Sequence, residues 1–285
     1  MQDIIKKADV LIEALPYIHA FRKKTIVIKY GGSILGEEKI RKGVLEDIVF
    51  LSFMGIRPIL VHGGGPSITE RMREIGKKTE FYEGMRVTDK ETLKVVDEEL
   101  MKLNRMIVKE MKELNGHAIS LSGDQDIIRA KRKTGKGKKD LGFVGEIVGI
   151  NKSILLNKLK REIIPVICPM AKGEKEQIYN VNADEAASAI AVELTAEKFV
   201  LLTNIKGIMR NIEDHESFIS SLNIEEAKSL IKQKVIQEGM IPKVKACLKT
   251  VEGGVKKTHI IDARTPRALL LEIFTDEGIG TEITK

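Results

Sequence analysis

The chain has 285 residues, 42% of them hydrophobic and 31% charged, with a formal net charge of +7. That balance excludes a disordered or collagen-like chain and leaves ample core for one large domain or two lobes. The basic surplus raises nucleic acid as a partner, but aromatics are only 4%, Trp is absent, and no zinc-ligand spacing or aromatic RNA motif interrupts the basic run at 131–139, so a solvated loop is expected there.

In chain order, Ile4, Ile5, Ala8, Leu11, Ile12 and Leu15 mark one face of an amphipathic N-terminal helix within 1–20. Acids run through this segment and no unbroken apolar stretch interrupts them, so it does not read as a secretory signal. Its face needs a cover, from its own domain or from another subunit. TIVIKY then reads as a strand ending in Gly31-Gly32, followed by a helix over 37–54 and the strand PILVH. HGGGP comes next, where Pro66 suits a first helical turn and Ile68, Met72 and Ile75 recur at helical spacing until Gly76. Two tandem units of strand, glycine loop and helix imply a mainly parallel sheet with helices on both faces.

A helix over 89–115, the strand HAISLS, a hairpin of IIRAKRK with GFVGEIVGI, and a buried parallel-type strand at 163–168 follow. The polar stretch 171–176 is the expected boundary between two lobes, 21–175 and 176–285, that share one sheet. Beyond it lie a helix from Ala183, the strand FVLLT, helices near Ile224 and Met240, the strand THIID and the helix ALLLEIF. No apolar run approaches the roughly 20 residues of a membrane span, so no membrane partner is expected. Cys168 and Cys247 have neither disulfide-framework nor metal spacing and read as buried small hydrophobes in a reducing, cytoplasmic compartment.

Lys29 breaks an apolar strand just before a glycine turn, so it faces whatever the glycines hold. The Gly63, Gly64 and Gly65 loop sits at a helix N-terminus, an anion site by virtue of its free N–H groups and dipole. Two such loops at the carboxyl ends of parallel strands converge on one crevice. The nucleotide P-loop pattern is absent, and GGSILG only brushes the dinucleotide fingerprint. HGGG also occurs in esterase oxyanion holes, but that reading needs a G-x-S-x-G elbow, which the chain lacks. In YNVNADEAA, either Asn182 or Asp184 caps a helix, while Asn180, Asn182 and Asp184 at alternate positions exceed what a cap requires. Lys243 in the first turn of a helix is unfavourable unless an anion lies nearby.

KYGGS, VHGGGP, EGMRVTD, GFVGEI, YNVNADEAA, VLLT, GMIPKVKA and the ending HIID…LLLEIFTDEGIGTEI, in this order across nearly the whole chain, closely resemble the acetylglutamate kinases of the amino acid kinase family. The resemblance implies a three-layer αβα sandwich around a mainly parallel open sheet, the carbamate kinase-like fold. It implies transfer of the γ-phosphoryl of ATP, with Mg²⁺ held by phosphates and water rather than by protein ligands, to the side-chain carboxylate of N-acetyl-L-glutamate. A carboxylate of reference pKa about 4.3 is already anionic at neutral pH, so no general base is needed. By resemblance, Lys29 and Lys243 stabilise the transferring group and Asp184 holds both lysines. Gly31, Gly32, Gly64 and Gly65 supply backbone N–H groups, and Arg86 and Asn180 grip the substrate. The nucleotide is expected near Asn204, Ile205, Lys206, Gly207 and Met209 in the C-terminal lobe.

The leading helix and GIGTEI resemble the arginine-inhibited, ring-forming hexamers of the family, in which N-terminal helices interlace between dimers. Tyr17, His259, Glu272 and Gly280 are the residues implied for arginine as effector. Departures are Asn204 where an aspartate is usual, SGDQD for SGKD, DAR for DGR, and MKLNR for G-x-V-N-K, in which Asn104 is kept. The alternatives are a kinase acting on a carrier-linked glutamate or aminoadipate group and a catalytically weak arginine-responsive binding protein.

Overall fold

The computed structural model describes residues 5, 9, 12–135, 137, 139–211, 214, 217–236, 239–275 and 278–285. In order, the elements are α1 (Leu15–Phe21), β1 (Thr25–Tyr30), α2 (Gly32–Leu35), α3 (Glu38–Phe53), β2 (Arg57–His62), α4 (Gly65–Glu74), β3 (Phe81–Tyr82), β4 (Met85–Arg86), α5 (Lys90–Glu113), β5 (Ala118–Ser122), β6 (Ile128–Thr134), β7 (Asp140–Ile150), α6 (Lys152–Lys160), β8 (Ile164–Cys168), β9 (Met170–Lys172), β10 (Ile178–Asn180), α7 (Ala183–Glu193), β11 (Lys198–Thr203), β12 (Ile208–Met209), β13 (Phe218–Ile219), β14 (Ser221–Asn223), α8 (Ile224–Lys232), α9 (Ile241–Glu252), β15 (Lys257–Asp262), α10 (Ala268–Phe274) and β16 (Thr281–Thr284).

Eight strands form one sheet in the order β14-β16-β15-β11-β1-β2-β8-β5. Every neighbouring pair in it is parallel except β15 with β16. The central strands are largely apolar, as a sheet covered on both faces requires, with charged residues only near their ends: β1 buries Ile26, Val27, Ile28 and Tyr30 completely. Alternation along β1 sends Val27 into one core, with Ile59, Phe199 and α7, and Ile26 and Ile28 into the other, with α3 and α10. This is the expected three-layer arrangement. The strands before the polar stretch, β1, β2, β5 and β8, fill one side of the sheet, and those after it fill the other.

The expected hairpin around the basic loop is β6 with β7, antiparallel and bulged. Together with β9 and β10, which the polar composition hid, it closes a small four-stranded barrel against the sheet's end. The helix expected over 89–115 is α5, whose N-cap Asp89 accepts from the Thr92 N–H. Its apolar stripe, including Val96, Leu100 and Ile107, is buried.

At the N-terminus, Ile4, Ala8 and Leu11 of the expected face lie outside the described residues. The helix restarts as α1 with Pro16 in its first turn, where a missing N–H costs nothing. Ile5, Ile12 and Leu15 are more than half exposed, so the described residues leave these three side chains of that face uncovered.

Candidate active site

Strands β1 and β2 are neighbours and parallel, so their carboxyl ends open side by side. A cavity of about 280 Å³ lies there, lined by Lys29, the Gly63, Gly64 and Gly65 loop, Arg86, Asn180, Asp184 and Lys243. Residues far apart in sequence thus meet because β1, α4, β4, β10, α7 and α9 all end or begin at one rim.

On one wall, Asp184 stands between the two lysines, its Oδ1 2.7 Å from Lys29 Nζ and its Oδ2 3.3 Å from Lys243 Nζ. Lys29 and Asp184 are only 7% and 5% exposed. Burial pushes the Asp184 carboxyl up, but the two ammonium groups outweigh it and hold it below the usual carboxylate range. Burial lowers the Lys29 pKa, with Asp184 opposing and Lys243 adding to the fall. Asn182 settles which residue caps α7: its side chain accepts from the N–H groups of Asp184 and Glu185. Asp184 is thereby free for the lysines.

Arg86 also lines the cavity, 7% exposed, and burial lowers its pKa. Its guanidinium donates to the Gly65 carbonyl at 3.0 Å, Thr69 Oγ1 at 2.8 Å and Thr79 Oγ1 at 3.2 Å, and lies 4.8 Å from the Phe81 ring centroid. No carboxylate pairs with it among the described residues. A buried cation with only neutral partners is an electrostatic deficit that an anionic ligand relieves. Asn180 completes this side, donating to Thr88 Oγ1 at 3.2 Å.

The glycines serve separate ends. A Cβ on Gly64 would stand 2.8 Å from Leu100 and 3.1 Å from Leu103, so the close approach there is to α5. A Cβ on Gly65 would meet nothing within 4 Å and would project into open space at the rim. Neither N–H has a partner among the described residues. The Gly31 N–H, expected to serve an anion, instead donates to the Leu202 carbonyl at 3.2 Å, and Gly32 opens the short α2.

Asn204, Ile205, Lys206, Gly207 and Met209 occupy the turn from β11 into β12, where Asn204 and Lys206 are exposed. The turn is braced by Thr203 Oγ1, which accepts from the Ile205 N–H at 3.1 Å. Gly207, at φ +147°, is required because a Cβ would come within 2.5 Å of Thr281 Oγ1. These residues do not line the cavity. In the DAR departure, the Arg264 guanidinium folds back on Asp262 at 2.7 Å.

Tyr17, His259, Glu272 and Gly280 do come together, in a second cavity of about 430 Å³ beside α1 and α10. Glu272 is 5% exposed, lies 2.5 Å from His259 Nδ1 and accepts from the N–H groups of Ile279 at 2.9 Å and Gly280 at 3.3 Å. Burial raises its pKa, but these donors outweigh it and hold the carboxyl below its ordinary value. Burial lowers the His259 pKa, with Glu272 opposing the fall.

Sequence reasoning missed Phe81, Thr69, Thr79 and Lys198. The signal for Phe81 was weak: Glu83 and Gly84 both take positive φ in a two-residue hairpin turn between Phe81-Tyr82 and Met85-Arg86, and of the two only Gly84 is a residue such turns favour. Lys198 gave none, because it lines the second cavity through α1 and α10, donating to the Glu272 carbonyl at 3.3 Å and lying 5.2 Å from the Phe21 ring.

A profile of the amino acid kinase family matches residues 24–262. The acetylglutamate kinase of Caldanaerobacter subterraneus subsp. tengcongensis is 47% identical over 285 residues, covering 99% of this chain and 95% of the relative. The N-acetylglutamate synthase of Neisseria gonorrhoeae, solved with coenzyme A and N-acetyl-glutamate, superposes with a TM-score of 0.84 at 27% identity, over 98% of this chain. The chain spans 63% of that synthase's length. The same synthase with coenzyme A and L-arginine gives a TM-score of 0.83 at 26% identity, covering 98% of this chain and 65% of that one. Carbamate kinase from Giardia lamblia bound to AMP-PNP shares the fold, with a TM-score of 0.66 at 17% identity over 92% of this chain and 98% of that one.

Proposed function

Since the chain belongs to the amino acid kinase family, we propose that it transfers the γ-phosphoryl group of ATP to the side-chain carboxylate of N-acetyl-L-glutamate, giving an acyl phosphate on the way to arginine. The observation that carries this reading is that one cavity is lined both by a buried carboxylate holding two ammonium groups and by a buried guanidinium with no carboxylate partner among the described residues. A dianionic acceptor has one carboxylate for each of these two cationic groups.

The residues act by position and charge, as phosphoryl transfer demands. Arg86, held by Thr69, Thr79 and Phe81, grips the α-carboxylate, and Asn180 donates to the acceptor. The side-chain carboxylate then reaches the free N–H groups of Gly64 and Gly65. Lys29 and Lys243, drawn together by Asp184, neutralise charge on the phosphoryl oxygens as it is transferred. Magnesium, carried by the nucleotide's phosphates, supplies further charge neutralisation when bound. Asp184 does not fit as its ligand, because both oxygens already face ammonium groups. We place the nucleotide over the turn at Asn204, Ile205, Lys206, Gly207 and Met209, on a lobe formed by 176–285, with the acceptor on 21–175.

The test is hydroxamate formation from N-acetyl-L-glutamate, ATP, Mg²⁺ and hydroxylamine. Product with this acceptor and none with aminoadipate is expected; product only with aminoadipate or carrier-linked glutamate would assign a different acceptor to the same site.

Arginine is the effector this reading assigns to the second cavity. Glu272 supplies the buried carboxylate for its guanidinium, and the synthase solved with L-arginine has this fold. Glu272→Gln is expected to raise the arginine concentration for half-inhibition by about tenfold or more, the worth of one charge-assisted bond. Inhibition unchanged in the variant would remove Glu272 from the site. The exposed Ile5, Ile12 and Leu15 suit burial against another copy of the chain, in a homo-oligomer of dimers that reaches a hexamer. The two buried, unbridged cysteines suit the cytoplasm. Among the described residues, no helix is long and apolar enough to cross a membrane.

A further inference from the structure

His62 closes β2 immediately before the glycine loop, and it is completely buried, as is Asn104 on α5. Neither lines the cavity, and no step described above uses them. The Asn104 Nδ2 lies 2.9 Å from the Val166 carbonyl oxygen, 3.4 Å from that of Leu121 and 3.0 Å from His62 Nε2. Two carbonyl oxygens can only accept, so the amide must present its nitrogen to them; turned over, it would set oxygen against oxygen. The Asn104 Oδ1 has no partner among the described residues, so nothing draws the amide the other way.

An amide nitrogen cannot accept, so His62 Nε2, facing it at 3.0 Å, carries no proton and is a bare acceptor that shares the two amide hydrogens with the carbonyls. The ring's proton then sits on Nδ1, which lies 3.0 Å from the Gly63 carbonyl oxygen and donates to it. Burial keeps the ring neutral, moving its pKa down to about 4. In a trans peptide the C=O and the following N–H point to opposite sides, and no cis peptide occurs among the described residues. A Gly63 carbonyl held against the imidazole therefore turns the Gly64 N–H away from it. The Gly63 N–H is itself tied to the Tyr30 carbonyl at 3.0 Å, so the loop is pinned at both ends of that residue.

We propose that His62 is a positioning residue: held by Asn104 as the neutral Nδ1–H tautomer, it fixes the Gly63–Gly64 peptide plane and aims the Gly64 N–H into the cavity, toward the acceptor carboxylate. The proposal rests on the reading above that an acceptor carboxylate occupies this wall. It assigns a task to a buried polar pair that packing alone does not require, since an apolar pair would fill the same space without a hydrogen-bond demand.

The experiment has two arms. In wild-type protein labelled with ¹⁵N-histidine, long-range proton–nitrogen spectra at pH 7 report the tautomer of His62, identified by the signal missing from His62→Asn. Nδ1-protonated, neutral imidazole is expected; an Nε2-protonated or doubly protonated ring would overturn the proposal. In the hydroxamate assay, His62→Leu is expected to lose about tenfold to a hundredfold in kcat, the scale of a misaimed donor, with the ATP KM within about threefold of wild type. His62→Asn, whose amide nitrogen can donate from the δ position, should recover most of the loss. A purely structural role would lower the melting temperature and the active fraction of both variants alike and leave kcat per active site unchanged, which would also overturn it. Wild-type protein that makes no hydroxamate from N-acetyl-L-glutamate would count against the acceptor assignment alone, and the spectrum would still decide the geometry.

Discussion

Lys29→Ala is expected to lower kcat for hydroxamate formation by about a hundredfold to a thousandfold, the range seen when one preorganised donor to transition-state charge is removed. Lys29 projects from β1 into the lining of the cavity, 2.7 Å from Asp184 and 7% exposed, so water cannot replace its ammonium without reorganising the site. The fold should survive, because Asp184 keeps Lys243 at 3.3 Å as a counter-charge. Lys243→Ala should fall in the same direction. The two losses should not add, since both lysines act on one phosphoryl group. Steady-state kinetics with both substrates varied, beside urea unfolding, checks the expectation. A Lys29→Ala enzyme within fivefold of wild type would remove this lysine from the chemistry.

Asp184→Asn removes a charge while keeping the shape, and its effect should depend on pH. In the native protein Asp184 raises the Lys29 pKa against the lowering by burial and by Lys243. Without the carboxylate only the lowering influences remain, so Lys29 releases its proton at a lower pH than in wild type. Activity needs the ammonium, so the variant's residual activity should be greatest at the acid end of the range and fall as pH rises. The wild-type activity should hold to higher pH. Removing one partner of a buried pair costs about 3–5 kcal/mol; here two ammonium groups lose their counter-charge, and deprotonation of Lys29 relieves part of that cost. Stability carries the opposite sign. The Asp184 carboxyl is held below its ordinary value, so its contribution is complete above the unfolded value near about 3.9 and is lost as pH falls through the folded one. The variant should lack that part of the acid-side loss. Kcat–pH profiles and urea midpoints measured from pH 3 to about pH 9 read both effects; an alkaline limb unmoved by the substitution would break the link between Asp184 and Lys29.

How much of this was legible in the sequence follows from the range of the interactions. Lys29 and Lys243 stand out because each violates a local rule, a charge in an apolar strand and a cation in the first turn of a helix. From the local pattern, Asp184 was one of two possible caps in a run of polar residues that exceeded a cap's needs, and three-dimensional packing was needed to assign the cap to Asn182. The triple glycine announced a special loop, yet its composition could not say that Gly64 is shaped by Leu100 and Leu103 of α5. The parallel sheet could be read from its alternating elements. The four-stranded barrel could not, because β9 and β10 are three residues each and owe their form to pairing with distant strands. Arg86 had no local signature; only the likeness of EGMRV to a known motif marked it, while Thr69, Thr79 and Phe81, which make it a rigid clamp, left no trace in the pattern. Lys198 was invisible for the same reason: its contacts with Phe21 and Glu272 join segments at opposite ends of the chain.

The seam where β1 pairs with β11 joins Ile26 through Tyr30 to Lys198 through Leu202 in unbroken register. The two expected lobes are therefore halves of one covalent and hydrogen-bonded fabric. Severed near the polar stretch, the first fragment would carry TIVIKY as a bare, apolar edge, a template for pairing with any other extended chain. In the cell, the ribosome makes that fragment first. Until β11 emerges, the strand bearing Lys29 has no neighbour on that side, so it stays exposed to misassembly during synthesis.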